Sequence, residues 1–563
     1  MSAAPPDTVV VDFADRADTS HPIPADFFGA GFSSFNGYSD LAWTMLKQAG
    51  FVNVRFDANL GQVWQSATAT PDFSAIDQTV SFVASEGLKP IMIMDYCPSW
   101  LRTSSTDNMP ADLSEWANLA AQYVHHEDFT FPGVIRNYEI WNEPDAASFL
   151  YAPNDSIRNC EYDSIFAAAA PKMYAQALAD GDTIRVGGPT LATPNDMNVW
   201  LTSLLGDSDT APYTGFVSYH FYAGGCSGWP NWTGMVYLLQ NNISGVEATF
   251  NRFATLVKQG RQPDAAQTPI YIDEYNSNSC TISTDPYRNS PTYSPIWNGL
   301  FVTDLLNCAY NSSHTIPSKL LYFTSSYTTG GFYLLTNNFL PPKPYPQYYL
   351  YDLLAGEGYL GITNHGYLAH SVSNPNAYLS AAAFFTPNSE SIVIVNPTST
   401  DYFGLTVEFR NPGLAPSVDS LFILNQNYPT IKDSVMTSTA TSGGYQSVID
   451  VPPLSVVALK YATPITSVRE GSTAVPKGFD LEQNYPNPFN PTTTISYKVP
   501  VRTLVNITVY DVLGRKVRTI VDAVEKPGSY SLTFTAGSLP SGVYFCRMNA
   551  GSFWQSIKIV LVK

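Results

Sequence analysis

The chain has 563 residues, 44% hydrophobic, 13% aromatic and only 13% charged, with a formal net charge of -18. That length exceeds what one hydrophobic core supports and calls for about two to four domains. The acidic balance offers no basic footprint for nucleic acid or an anionic membrane surface, and no apolar run approaches the ~20 residues that span a bilayer.

The opening residues, Met1 to Asp7, have neither a charged n-region nor an apolar h-region, so the chain is either cytosolic or has lost a signal peptide. Cysteines stand at positions 97, 160, 226, 280, 308 and 546 with no C-x-x-C pair, which speaks against a structural zinc site. At most two disulfides are expected in the first domain, and Cys226 with Cys280 is one candidate pair.

Residues 7–13 form a short apolar strand. From there strands and helices alternate. Strands are expected at 23–32, 52–57, 89–95, 134–143, 184–188, 215–222, 270–274 and 320–324. Helices are expected near 41–50, 77–86, 114–125, 165–179, 200–205, 246–258, 297–310 and from 346. Near-continuous apolar strands, about 40 residues apart, indicate a (β/α)8 barrel with both sheet faces buried. From about Gly361 the period becomes two. Strands at 377–385, 391–396, 404–409, 420–424, 445–451 and 456–461 read as a β-sandwich, which the strand at 7–13 could join. The expected architecture is α/β: a barrel over 14–355, a sandwich from 1–13 and 356–461, a linker at 462–480 and an immunoglobulin-like β domain at 481–563.

Two stretches carry chemistry. Asn137 to Asp145 (N-Y-E-I-W-N-E-P-D) reads as a strand that ends at a carboxylate, with Pro144 holding Glu143 extended. Ile270 to Ser277 (I-Y-I-D-E-Y-N-S) repeats the pattern with Glu274. On a barrel both ends lie at the C-terminal face, where active sites form. Two such carboxylates are what glycoside hydrolysis needs. Glu143 would be the acid/base, kept protonated by a nearby carboxylate and an apolar wall such as Trp141. Glu274 would be the nucleophile, kept ionised by Arg55 and Tyr222. Asn142 would hold the sugar 2-hydroxyl, and His220, on the same strand face as Tyr222, would shape the subsite. Retention through a glycosyl-enzyme predicts carboxyl groups about 5–5.5 Å apart. No metal or cofactor is required. His125-His126-Glu127-Asp128 reads as a solvated helix end, because adjacent histidines do not share a helix face.

The Trp141-Asn142-Glu143-Pro144 motif with a strand-seven Glu274 resembles glycoside hydrolase clan A. Gly187-Gly188-Pro189, Asp273-Glu274-Tyr275-Asn276 and the trailing sandwich are most similar to family 39, which includes β-xylosidases. The resemblance implies that Glu143 and Glu274 are acid/base and nucleophile, and that an Arg and a Tyr at the positions of Arg55 and Tyr222 hold the nucleophile. Asp273 departs from the Thr often found before the nucleophile. At the other end, Tyr485-Pro-Asn-Pro-Phe-Asn-Pro491, Val509 to Gly514 and Leu539 to Tyr544 resemble the type A C-terminal sorting domain of type IX secretion cargo. That implies export to the cell surface or beyond and contact with the secretion machinery.

Other roles stay open at this stage. Glu139 reads as a buried partner of a basic residue. Asp273 reads as a supporting group or a strand end, Asp95 as a pocket or cap residue, and His220 alternatively as a satisfied core histidine. Trp100, Trp229 and Trp232 are suited to stack on sugars or to pack in the core. Exo-β-xylosidase leads among the expected activities. An endo-acting glucanase or xylanase, an arabinofuranosidase, and a non-catalytic carbohydrate-binding surface protein are the alternatives.

Overall fold

In the computed structural model the chain divides into two compact units, Met1–Thr463 and Pro464–Lys563. The structure describes residues 8–13, 22–31, 40–104, 108–192, 197–222, 252, 254–255, 257, 268–276, 293–313, 317–323, 334–335, 344–356, 359–363, 366–369, 371–373, 379–386, 389–412, 418–427, 429–462, 478–490, 492–501, 503–512, 515–525, 527–535, 539–550 and 553–562. Cys226, Cys280, Trp229, Trp232 and most of the helix expected at 246–258 lie outside these residues.

The first unit opens with β1 (Thr8–Asp12) and then builds a closed barrel of eight parallel strands. These are β2 (Phe28–Gly31), β3 (Phe51–Asp57), β4 (Lys89–Met94), β5 (Asn137–Ile140), β6 (Arg185–Leu191), β7 (Phe216–Tyr222), β8 (Ile270–Asn276) and β9 (Lys319–Tyr322). Among the described residues the helices are α1 (Asp40–Gln48), α2 (Leu60–Val63), α3 (Ser74–Ser85), α4 (Leu113–Thr130), α5 (Asp155–Asp180), α6 (Met197–Gly206), α7 (Tyr293–Ser313) and α8 (Pro346–Ala355). The alternation is the one the apolar pattern predicts, because each strand is covered on both faces. None of these helices is long and apolar enough to cross a membrane. At the strand-start end, Lys319 reaches Asp26 and Asn53, each at 2.9 Å, and Lys89 reaches Asp26 at 2.9 Å. Polar pairing thus closes the mouth opposite the one where chemistry is expected.

Three expectations need correction. The strand at 134–143 is shorter: β5 stops at Ile140, and Trp141 and Glu143 have φ of 69° and 47°. Pro144 was expected to hold Glu143 extended. Instead the Glu143 N–H donates to the Thr190 carbonyl (3.1 Å), and the Glu143 carbonyl accepts from the Ala146 N–H (3.0 Å). These bonds hold a left-handed turn that local preference disfavours. The first barrel strand is also shorter than expected, because the chain turns at residues 25–26 before entering the sheet. The 125–128 segment is not a solvated end. α4 runs on to Thr130, Glu127 and Asp128 are buried, His125 contacts Asp180 and His126 contacts Asp77. Burial, with Asp77 and Asp128 nearby, pushes Glu127 up to about 8.

After the barrel come two stacked antiparallel-rich sheets. One is ordered β10 (Tyr367–Leu368), β12 (Ser380–Thr386), β13 (Ser389–Asn396), β19 (Ser455–Ala462), β15 (Val418–Asn425) and β16 (Lys432–Val435). The other is β11 (Ser371–Ser373), β1, β14 (Tyr402–Arg410), β18 (Gly444–Val451) and β17 (Thr439–Thr441). Val9, Val11, Phe409, Ile394 and Leu459 share the core between them. The strand at residues 8–12 therefore does join the sandwich, running parallel to β14. Helix α7 lies directly on the first sheet: Asn307 donates to the Ala381 carbonyl (2.6 Å), and a Cβ at Gly299 would stand 3.2 Å from Val456 Cγ2.

The second unit has its own core and two sheets. One is β20 (Asp480–Leu481), β21 (Thr492–Val499) and β24 (Gly528–Thr535); the other is β23 (Lys516–Glu525), β22 (Thr503–Tyr510), β25 (Gly542–Ala550) and β26 (Phe553–Leu561).

Candidate active site

Arg55 enters the barrel lumen from β3 and is 2% exposed. Its Nε donates to Glu139 Oε2 on β5 at 2.6 Å, Nη1 to Glu274 Oε1 on β8 at 2.7 Å, and Nη2 to Asn142 Oδ1 at 2.8 Å. One planar fork therefore fixes three of the residues singled out in the sequence. Burial works against its charge, but Glu139, Asp273 and Glu274 raise its pKa well above the ordinary arginine value. Glu139 is thus the buried partner of a base. Burial pushes its carboxyl well above the usual range, against the pull of Arg55.

Glu274 Oε2 accepts from the Tyr222 hydroxyl at 2.6 Å. Glu143 Oε1 lies 2.8 Å from His220 Nδ1, which is also 3.4 Å from Glu274 Oε2. His220 is fully buried. Burial alone would lower its pKa, but Glu274, Asp273 and Glu143 raise it to about 9. As an imidazolium it is a cation between the two carboxylates. Oxygens of Glu143 and Glu274 approach within 4.8 Å.

Asp273 and Glu274 both turn to Arg55, with Asp273 Oδ2 3.5 Å from Nε. Consecutive strand residues ordinarily face opposite ways. Here the β7–β8 register slips between Tyr219 and His220, and the β8–β9 register slips between Ile272 and Tyr275. This bulge turns an extra side chain inward. The sequence left Asp273 between a supporting role and a strand end, since a bulge has no side-chain signature there.

Trp141, expected to wall the acid, instead packs against Trp116 and Tyr96, and its indole N–H donates to the Phe149 carbonyl (3.1 Å). It supports the turn from behind. Trp100 donates to the Trp64 carbonyl at 2.8 Å and packs on the barrel core. Two further acids stand beside the site: Asp57, which the sequence reading missed, and Asp95, which it left between a pocket and a cap role. Asp57 lies two residues after Arg55 on the same strand face, a spacing that could have revealed it. Burial and the Glu274 charge raise its pKa, with Arg55 opposing. Asp95 is buried with neither carboxyl oxygen hydrogen-bonded among the described residues, and burial, then Asp57, push it well above the carboxylate range.

A closed parallel barrel with two carboxylates, one of them clamped, at its C-terminal mouth is the layout of the clan A glycoside hydrolases, which are retaining enzymes. Residues 47–365 match the description "Glycosyl hydrolases family 39", and the chain belongs to that family. Residues 483–563 match "Secretion system C-terminal sorting domain". The chain is thus a retaining glycoside hydrolase with a type IX sorting domain, which indicates secretion to the cell surface or outside. No curated protein matches it. Among solved structures it is similar to a family 39 β-xylosidase from Caulobacter crescentus (16% identity, TM-score 0.55, 81% of this chain and 100% of that one). It is also similar to a family 30 endoxylanase from Clostridium papyrosolvens (13%, 0.54, 81% and 100%). A third is the bacterial orthologue of human α-L-iduronidase (14%, 0.60, 98% and 99%). At these identities the likeness concerns the fold.

Proposed function

We propose that this enzyme is an exo-acting β-xylosidase that cleaves oligosaccharide or polysaccharide ends by double displacement, with Glu143 as acid/base and Glu274 as nucleophile. The approach of their oxygens within 4.8 Å carries the reading. Such an approach suits a retaining pair, whose carboxyl groups stand about 5–5.5 Å apart. Family membership and the β-xylosidase among its structural neighbours support the choice of xylose.

In the first step Glu143 gives its proton to the leaving oxygen while Glu274 bonds to the anomeric carbon. In the second, Glu143 takes a proton from water, whose oxygen displaces Glu274. The His220 Nδ1–H, 2.8 Å away, stabilises Glu143 whenever it is ionised. Arg55 fixes Asn142 Oδ1 and Tyr96 also bonds the amide, which leaves one N–H to meet the sugar 2-hydroxyl. Partners under this reading are a xylose-ended glycan and the type IX machinery.

A panel of aryl glycosides and oligosaccharides, assayed with wild type and Glu274→Ala, tests it. Wild type should prefer β-xylosides, and the variant should lose about 10⁴-fold or more in kcat. Azide should rescue Glu143→Ala, with formation of a β-glycosyl azide. A first product of inverted anomeric configuration by NMR would remove Glu274 as nucleophile. Preference for internal bonds or arabinofuranosides would leave the mechanism and change the specificity. Binding without cleavage would mean a carbohydrate-binding protein.

A further inference from the structure

Outside the barrel mouth, Asp77 on α3 and His126 and Glu127 on α4 each turn one ligand-type atom to a common point, all within 4.8 Å of one another. The contact between His126 Nε2 and Asp77 Oδ1 is 2.7 Å. The imidazole is fixed by face-to-face stacking on Phe73, one helical turn before Asp77, at 3.6 Å. Glu127 is the unusual member. It is 1% exposed, and neither of its carboxylate oxygens has a well-formed hydrogen bond among the described residues. The Tyr123 hydroxyl offers it a weak hydrogen bond and also reaches the Met92 sulfur at 3.8 Å. A buried carboxyl with so weak a partner is left short of bonds unless something further pairs with it.

We propose that Asp77, His126 and Glu127 form a divalent transition-metal site that joins α3 to α4. One imidazole nitrogen and two carboxylates form a donor set suited to Zn²⁺, Co²⁺ or Mn²⁺, with a fourth position left for water. A tetrahedral ion at about 2.1 Å needs its ligands roughly 3.4 Å apart. One pair is closer than that, at 2.7 Å, and all three ligand atoms lie within 4.8 Å of one another. The Asp77 and His126 side chains are 32% and 26% exposed, which provides a way in for the ion. The site lies on the helical layer and is independent of the hydrolytic reading.

The full-length protein is stripped with chelator and titrated with Co²⁺, followed by its visible ligand-field bands, and with Zn²⁺ by calorimetry. Glu143, His220 and Glu274 offer a similar donor set, so Glu274→Gln is run beside Asp77→Asn and His126→Gln. The proposal expects one equivalent bound and a higher melting temperature with metal. Affinity should be unchanged in Glu274→Gln and weakened at least about tenfold in the other two, the smallest effect usual even for groups that only support a ligand. Metal-free melting temperatures matching wild type show that the variants fold. Absence of saturable binding, binding lost only in Glu274→Gln, or binding that Asp77→Asn and His126→Gln leave intact would each overturn it.

Discussion

At the scale of single residues, the centre is organised by Arg55 rather than by either glutamate. Its fork ties Glu274, the proposed nucleophile, Asn142 and the buried Glu139 into one unit, so each depends on the others' placement. Tyr222 is the separable part, because it touches only Glu274 among its described hydrogen bonds. Tyr222→Phe should lower kcat/KM by about 10- to 100-fold, the worth of one bond to a charged group, with the fold intact; steady-state kinetics on an aryl xyloside check this. His220 gives a pH signature. Its pKa is about 9 in the folded chain against 6.5 for the free side chain. The folded state therefore holds an extra proton between those values. Stability from His220 is complete below about 6.5 and is lost as pH rises towards 9. Urea melts across that range should show the decline, and His220→Gln should flatten it.

At the scale of elements, the paired strand-end glutamates, Arg55 and the alternating βα pattern were legible because burial on both sheet faces leaves a plain apolar signal. The geometry that aims them was not. A bulge in β8 and a left-handed turn at Glu143 are imposed by neighbouring strands, through the Thr190 carbonyl and the registers on either side, and neither leaves a local signature. Trp141 was misread for the same reason: its side of the turn follows from φ of 69°, not from its identity. Between layers, α7 meets the sandwich at Gly299, where Val456 and Val395 leave little room. Gly299→Leu should overpack this seam and cost about 1–3 kcal/mol. A lower melting temperature with kcat/KM near wild type is the expected result.

At the scale of the whole molecule, catalysis and export are carried by units with separate cores. A chain ending at Thr463 should keep its melting transition and kcat/KM within about twofold, because every residue at the site precedes that point; calorimetry and kinetics test this. In a type IX-competent cell the same chain should stay inside, whereas residues 464–563 fused to a reporter should leave.

The pairing of β1 with β14 has a consequence for biosynthesis. Thr8 lies beside Thr406, and Asp12 beside Arg410. β1 is translated before the barrel and must wait, unpaired, until the whole barrel is made, and ordering it means closing a very long loop. Until then β11 and β14 face an empty lane with open edges, the condition in which chains join the wrong neighbour. β1 can therefore take its place only after β11 and β14 have been made. Trimming it to tidy a recombinant product would leave active-site chemistry intact on paper while favouring aggregation during refolding.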